Sequence, residues 1–268
     1  MDVGPLVIEH LTEQGNIPKN EFSFFMQTVE EGISHIDIGP AQIDSMKNGS
    51  SDDSVAIPIN KDFFWSQYLQ GIAFGDTRDD NAYTFEEGWP YTITDTGSSH
   101  LFVPESYYEV IIVKLIEAAG NPEYVIQQGI TLTECSNKFR PLYLMMDKHW
   151  IVIDPSEYLF DVSENGDNSV CHIMILGNSY GFFLVGLPFF QGYYTTHDMD
   201  EPSITYIPHV DSSKDYLKSG SVPEQFLEPI VHNYFVEYLP LVFLAGMAAL
   251  YYFVVDPWSL RRYKNDDW

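Results

Sequence analysis

The triplet Asp95-Thr96-Gly97 has residue types that could do chemistry, and it directly follows the apolar stretch Tyr91–Thr94. A carboxylate on a tight turn after a strand is exposed and held in one direction. Gly97 permits the sharp turn, and the hydroxyl groups of Thr96 and Ser98 can hold the carboxylate in place. Asp95 is therefore a candidate catalytic residue, and the next three residues are its candidate supports. The same triplet also occurs in ordinary turns.

A second motif, Gly177-Asn178-Ser179-Tyr180-Gly181, matches the G-x-S-x-G pattern of serine hydrolases. In that class a helix follows the serine, whereas Gly186 and Pro188 would interrupt a helix here. The Asp and His partners also require a large α/β domain further along the chain, and little sequence remains for one. We therefore do not expect a serine hydrolase.

Metal and cofactor motifs are absent from the sequence. It has no His-Glu-x-x-His, no P-loop and no Gly-x-Gly-x-x-Gly, and its eight histidines are scattered. Neither Cys135 nor Cys171 belongs to a Cys-x-x-Cys pair, so we predict no metal and no cofactor. One disulfide in an oxidising compartment and two buried thiols remain open as alternatives.

Composition restricts the class of partner. The 268 residues include 39 acidic and 13 basic side chains, a formal net charge of -26. Such a surface repels phosphate backbones, so nucleic acid is not an expected partner. An apolar fraction of 45% allows a sizeable core, and an aromatic fraction of 15% favours a β-rich fold.

Short strands dominate the predicted elements that must position Asp95. Segments rich in β-branched or aromatic residues and bounded by turn residues are Ser34–Ile38, Val55–Ile59, Tyr91–Thr94, Trp150–Ile153 and His172–Leu176. Two helices are predicted, Leu6–Glu13 and Glu105–Ala119, the second between Pro104 and Gly120. The fold class is therefore all-β with one or two short helices.

Residues 5 to 210 resemble the C-terminal lobe of the pepsin-like aspartic proteases. In that family the second Asp-Thr-Gly precedes an apolar pair, a proline and a helix, as do Leu101-Phe102-Val103-Pro104 here. Other segments similar to the family's lobe are Phe22-Ser23-Phe24, Ser34–Gly39, Pro58–Gly75, Ile153–Tyr158 and Leu184–Asp198. The resemblance implies one lobe of the bilobal acid-protease fold, extending over residues 1–210.

The resemblance also implies roles for individual residues. Leu184, Val185 and Gly186 would support the Asp95 loop from below. Thr96 would bond the matching threonine of the other lobe, and Ser98 would orient the carboxylate. Cys135 and Cys171 would form the lobe's disulfide. Leu187 and His197 depart from the family pattern, where an Asp and a Phe are usual.

Aspartic proteolysis requires two carboxylates that share one proton and one water molecule. This sequence contains one Asp-Thr-Gly, so we expect half of an active site. The second Asp would come from a missing N-terminal lobe or from a partner chain. The substrate implied by the family is a peptide or protein.

A membrane anchor is predicted near the C-terminus. Tyr238–Val255 is an uncharged run of 18 residues, and we predict a transmembrane helix over 234–255. A polar stalk over 211–233 would precede it. The tail, 256–268, contains Arg261, Arg262 and Lys264, which places the tail in the cytosol and the lobe in a lumenal or extracellular space. Met1–Pro5 lacks the features of a signal peptide.

Three functional hypotheses follow from these patterns. The first is a membrane-anchored aspartic endopeptidase, similar to the β-secretase-like branch, whose N-terminal lobe precedes this sequence. The second is a catalytically inactive lobe that acts as a membrane-tethered binding or assembly subunit. The third is a homodimer that builds its site from two copies of Asp95.

Overall fold

Pairing of short strands determines the architecture of Met1–Pro229, one of two units in the chain. The computed structural model describes residues 6–27, 32–52, 54–60, 64–76, 79, 81–85, 88–164, 166–167, 169–212, 214 and 217–229. The predicted span 234–255 and tail 256–268 lie outside these residues. Within the described residues, no helix has the length and apolar character needed to cross a bilayer.

Nineteen strands and four short α-helices make up the described part of the chain. The strands are β1 Glu21–Phe25, β2 His35–Ile38, β3 Val55–Pro58, β4 Ser66–Phe74, β5 Ala82–Phe85, β6 Tyr91–Thr94, β7 Leu101–Pro104, β8 Tyr124–Gln127, β9 Ile130–Thr133, β10 Leu142–Met146, β11 His149–Ile153, β12 Leu159–Asp161, β13 Cys171–Ile173, β14 Ile175–Asn178, β15 Phe183–Val185, β16 Tyr193–Asp198, β17 Ser203–Pro208, β18 Lys218–Ser219 and β19 Phe226–Leu227. The helices are α1 Val7–Glu13, α2 Glu105–Ala118, α3 Pro155–Tyr158 and α4 Leu187–Phe190. The predicted β-rich fold is confirmed.

The strands form three sheets. The largest has the order β14-β7-β15-β6-β4-β10-β11-β18, with β5 and β19 attached beside β4. A five-stranded sheet has the order β2-β1-β16-β17-β3, and a smaller one the order β12-β13-β9-β8. In the largest sheet β15 lies between β6 and β7, the two strands that flank the Asp95 loop.

Helix α2 anchors the strand that leaves the Asp95 loop. Pro104 ends β7 and precedes the first turn of the helix, and Gly120, with φ +79°, follows its end. The helix buries one apolar face, formed by Tyr107, Tyr108, Ile111, Ile112, Leu115 and Ile116. Because these residues recur at three- and four-residue spacing, they lie on one side of the helix and enter the main core.

The structure corrects one predicted strand and the predicted number of helices. The predicted strand His172–Leu176 is two strands that separate at Met174. The first pairs with β9 and the second with β7, so the chain changes sheet at this point. Besides α1 and α2, two one-turn helices, α3 and α4, are present, each with a proline in its first turn, where a missing N–H costs no helical bond.

The segment predicted as a stalk, 211–233, packs against the lobe over its described part. Strand β18 pairs with β11, and Leu227 is 1% exposed in the core. Lys214 is buried, and its ammonium group donates to the Val152 carbonyl at 2.6 Å and to Glu157 at 2.7 Å. Burial raises the pKa of Glu157 to about 7, while the nearby Lys214 lowers it. The compact unit therefore ends at Pro229 rather than at residue 210.

Candidate active site

The Asp95 carboxylate is held by two hydrogen bonds from the residues that follow it. The Gly97 amide donates to Oδ1 at 2.9 Å, and the Ser98 hydroxyl donates to Oδ2 at 2.7 Å. The Asp95 amide itself donates to the Val185 carbonyl at 3.0 Å. These bonds fix the direction of a half-buried side chain before any ligand binds. Thr96 is exposed at the tip of the loop.

Strand β15 supports the loop from its other side. Leu184 lies opposite Ile93 and Val185 opposite Thr94, so β15 runs parallel to the strand that delivers Asp95. The structure thus brings Leu184, Val185 and Gly186 next to the predicted loop. The Leu187 amide then donates to the Ser98 carbonyl at 2.8 Å, a contact that does not depend on the side chain at this position.

Gly186 lies closest to the loop backbone. A Cβ atom at this position would be 2.2 Å from the Ser98 carbonyl oxygen and 2.5 Å from that of His100. Both obstacles are backbone atoms, so they cannot rotate away as a flexible side chain can. A residue without a side chain is therefore required where β15 passes the loop.

A cavity of about 510 Å³ opens beside Asp95. Its wall is mainly aromatic and includes Phe22, Phe24, Phe64, Trp65, Phe182 and His197. Asp95 is the one carboxylate among the described residues that line it. An apolar pocket with a single fixed polar group suits an extended chain segment or an apolar side chain better than a charged small molecule.

Sequence reasoning did not assign the five phenylalanine and tryptophan residues of this wall to the site. Strand pairing brings them there, because Phe22 on β1 lies opposite His197 on β16. A signal for Phe22 and Phe24 was available, since residues two apart in a strand share a face. Because Phe22 and Phe24 are far from Asp95 in the sequence, the sequence does not show which face of β1 borders the pocket.

His197 is a buried polar member of this wall. The side chain is 2% exposed and its ring stacks on Phe22 with centroids 4.9 Å apart. Its Nδ1 atom is buried and has no hydrogen-bond partner among the described residues. Burial lowers the pKa of His197 to about 3, so the imidazole is neutral at physiological pH. The aromatic cage replaces water around the ring without offering a counter-charge.

Replacing His197 with phenylalanine should make the fold less sensitive to acid. The folded pKa of about 3 lies below the unfolded value of about 6.5, so the unfolded chain binds an additional proton between these values. The stability contribution of neutral His197 is complete above the unfolded pKa and is lost as the pH falls toward the folded pKa. Between pH 7.5 and pH 5, the free energy of unfolding of His197→Phe should therefore rise by about 2 kcal/mol relative to that of the wild type.

Urea unfolding at the two pH values measures this gain. Phe182→Leu changes the same wall at a residue whose ring contact is with Tyr180, so its stability difference from wild type should be independent of pH. If the stability difference between His197→Phe and wild type were also the same at both pH values, His197 would not be a neutral buried imidazole in the folded protein.

The predicted disulfide is confirmed. Cys135 and Cys171 are bonded, with Cα atoms 5.0 Å apart. The bond joins the segment after β9 to the start of β13, close to where the chain changes sheet. In the described part of the chain, no group of three or more His, Cys, Asp or Glu residues is arranged to hold a metal ion.

The G-x-S-x-G motif does not form a nucleophile elbow. Strand β14 ends at Asn178, and the next element after the turn is the strand β15. A nucleophile elbow requires a helix immediately after the serine. The motif instead forms the connection that returns the chain to the Asp95 loop.

Comparisons with known proteins agree with this geometry. A model of the family described as eukaryotic aspartyl protease matches residues 2–208. Plasmepsin IV from two isolates of Plasmodium falciparum is 23% identical over 209 residues. The alignment covers 76% of this chain and 42% of each plasmepsin, so the chain spans less than half the length of these relatives. Since the family match covers most of the chain and includes the Asp95 loop, the chain belongs to the eukaryotic aspartyl protease family.

Proposed function

We propose that this chain is the C-terminal lobe of an aspartic endopeptidase and supplies one of two catalytic carboxylates. The observation that supports the proposal is the Asp95 carboxylate, oriented through both oxygens at the edge of an apolar cavity. A second lobe, either part of a longer protein or a separate chain, would supply the other carboxylate.

The chemistry requires the two carboxylates to lie close together. Two such groups in contact cannot both ionise readily, so one proton is shared between them and a water molecule binds to both. The ionised carboxylate takes a proton from the water as the water attacks the peptide carbonyl. The protonated carboxylate polarises that carbonyl and later donates to the leaving amine. Ser98 and Gly97 keep the Asp95 oxygens directed at the shared water.

An exposed apolar surface supports the proposal of a second lobe. Ile36 and Ile38 on β2 are 60% and 50% exposed, and they lie opposite Phe24 and Phe22 on β1. Directly opposed residues share a sheet face, so these four side chains form one apolar surface. Phe22 and Phe24 also line the cavity at Asp95, so a lobe covering this surface would close the cavity.

Reconstitution tests the proposal. The chain should gain peptidase activity when it is co-refolded with the N-terminal lobe of a family member that contains the other Asp-Thr-Gly. Replacement of that lobe's own catalytic Asp should remove the activity. A properly assembled pair that stays inert would favour the inactive binding or assembly subunit. Leu187, where the family usually has Asp, is the departure that favours this alternative.

Membrane attachment is the second part of the proposal. The uncharged run Tyr238–Val255 and the basic residues Arg261, Arg262 and Lys264 support a single span with the lobe in a lumenal or extracellular space and the tail in the cytosol.

Truncation after Pro229 should release the protein from membranes, because the cut removes the apolar run and leaves Leu227 in the core. After an alkaline carbonate wash, the full chain should sediment with membranes and the truncated chain should stay in the supernatant. A truncated chain that still sediments would show that another part of the protein holds it there.

A further inference from the structure

The triplet Asn48-Gly49-Ser50 has the pattern of an N-glycosylation acceptor, in which serine or threonine stands two positions after asparagine. Asn48 is the one asparagine of the sequence that begins such a triplet. Because triplets of this kind also occur by chance, the pattern is informative only under two conditions. The asparagine must be accessible, and the domain must pass through a compartment that contains the transferase.

Asn48 meets the first condition, because it lies in a tight turn on the surface. Asn48 and Gly49 are both exposed, and each has a φ of 60°, which asparagine and glycine adopt at the least cost. The Gly49 amide donates to the Met46 carbonyl at 3.0 Å and closes the turn. A Cβ atom at Gly49 would meet its nearest atom, on the Ile43 side chain, only at 3.9 Å. An enzyme and a bulky sugar donor therefore have room beside Asn48.

The turn belongs to the connection between β2 and β3, which covers the face of the five-stranded sheet that points away from the Asp95 cavity. Met46, two residues before Asn48, is buried in one cluster with Phe25 of β1. Successive residues of a strand point to opposite faces, and Phe24 lines the cavity, so Met46 covers the other face. A glycan on Asn48 would thus leave open both the cavity and the apolar surface proposed to contact the second lobe.

The Cys135–Cys171 bond supports the second condition. Disulfides form and persist in the secretory pathway and are rare in the cytosol. Modification of Asn-x-Ser/Thr triplets is typical of surface loops in secreted proteins. We propose that Asn48 is an N-glycosylation site and carries one oligosaccharide. The proposal rests on the lumenal or extracellular placement of the lobe, which is part of the proposed function, and does not depend on peptidase activity.

The modification is a group transfer to the side-chain nitrogen of Asn48. The donor is an oligosaccharide linked through pyrophosphate to a polyisoprenoid lipid, and a membrane-bound transferase of the secretory pathway catalyses the step. The amide nitrogen attacks the anomeric carbon of the first sugar and forms an N-glycosidic bond. The bond between that carbon and the phosphate oxygen breaks, the lipid pyrophosphate leaves with the bonding electrons, and the nitrogen loses one proton.

Expression of the full chain behind a cleavable secretion signal in eukaryotic cells tests the site. The intact mass of the purified wild type should exceed that of the polypeptide by one oligosaccharide, and a peptide-N-glycosidase should remove the excess. Release in water enriched in heavy oxygen should label position 48, which distinguishes enzymatic release from spontaneous deamidation of the Asn-Gly pair. Asn48→Asp and Ser50→Ala should both have the mass of the bare polypeptide. Ser51→Ala, one position beyond the triplet, is the matched control and should be modified as the wild type is.

The protein taken for measurement is the fraction in which Cys135 and Cys171 are bonded, so it has passed through an oxidising compartment. Asn48→Asp should fold normally, because aspartate also adopts the left-handed conformation of this turn, and thermal unfolding checks this. A disulfide-bonded wild type with the mass of the bare polypeptide would overturn the proposal. An oligosaccharide that remains in Asn48→Asp would also overturn it. Because the secretion signal delivers the chain and mass is the readout, failure here is separate from failure of the proposed function.

Discussion

Replacement of Gly186 by alanine is expected to destabilise the lobe by at least about 3 kcal/mol, the upper part of the range for overpacked sites. The added methyl group would meet the Ser98 and His100 carbonyl oxygens at 2.2 and 2.5 Å. Relief requires β15 to move away from the Asp95 loop, which breaks its pairing with β6 and β7. The loss should appear as a lower urea midpoint and as the loss of the fixed loop geometry.

Gly177→Ala is the matched control for this substitution. A Cβ at Gly177 meets its nearest atom, on the Tyr108 side chain, at 3.5 Å, which is ordinary contact. Its free energy of unfolding should change by less than about 1 kcal/mol, since Gly-to-Ala changes at compatible positions are small or stabilising. A Gly186→Ala protein as stable as Gly177→Ala would show that β15 does not press against the loop.

In the reconstituted two-lobe enzyme, Asp95→Asn should lower kcat by about 10²- to 10⁴-fold, the usual effect of losing a positioned acid or base. Asparagine keeps the shape of the side chain but cannot share a proton with the second carboxylate. Ser98→Ala should cost about 10- to 100-fold, because it removes one hydrogen bond from a charged group. Steady-state hydrolysis of a peptide substrate measures both changes.

Asp147→Asn is the control for Asp95→Asn. Asp147 lies in the β10–β11 turn with φ 43°, a conformation that asparagine also adopts readily. Activity of this variant should equal that of the wild type. If Asp95→Asn were equally active, Asp95 would be a structural turn residue and the proposed function would be wrong.

Sequence patterns predicted the elements that depend on neighbouring residues. Helix α2 follows from its flanking Pro104 and Gly120 together with apolar residues at helical spacing. The Asp95 turn follows from its own triplet, because the bonds that hold the carboxylate come from residues two and three positions later. The Cys135–Cys171 disulfide was predicted from the family resemblance, because the spacing of the two cysteines alone does not indicate a bond.

Features that depend on distant pairing were missed. Nothing near Met174 signals that the chain changes sheet there, because the change is caused by partners on β9 and β7. Lys214 lies in a polar segment, which predicts a solvated lysine. In the structure its side chain is buried and its charge is paired with Asp154 and Glu157. The surroundings of His197 also come from distant residues, because its aromatic contacts are with Phe22 on β1 and with Trp65 rather than with its own strand.

The most direct test of the central claim, that Asp95 supplies one catalytic carboxylate and a different lobe supplies the other, is peptide hydrolysis at acid pH as a function of chain concentration. The purified chain alone should hydrolyse nothing at any concentration, because one carboxylate cannot both activate the water and protonate the leaving amine. Hydrolysis that rises with the square of the chain concentration, and is lost in Asp95→Asn, would contradict the account. It would show that two copies of this lobe assemble the site by themselves.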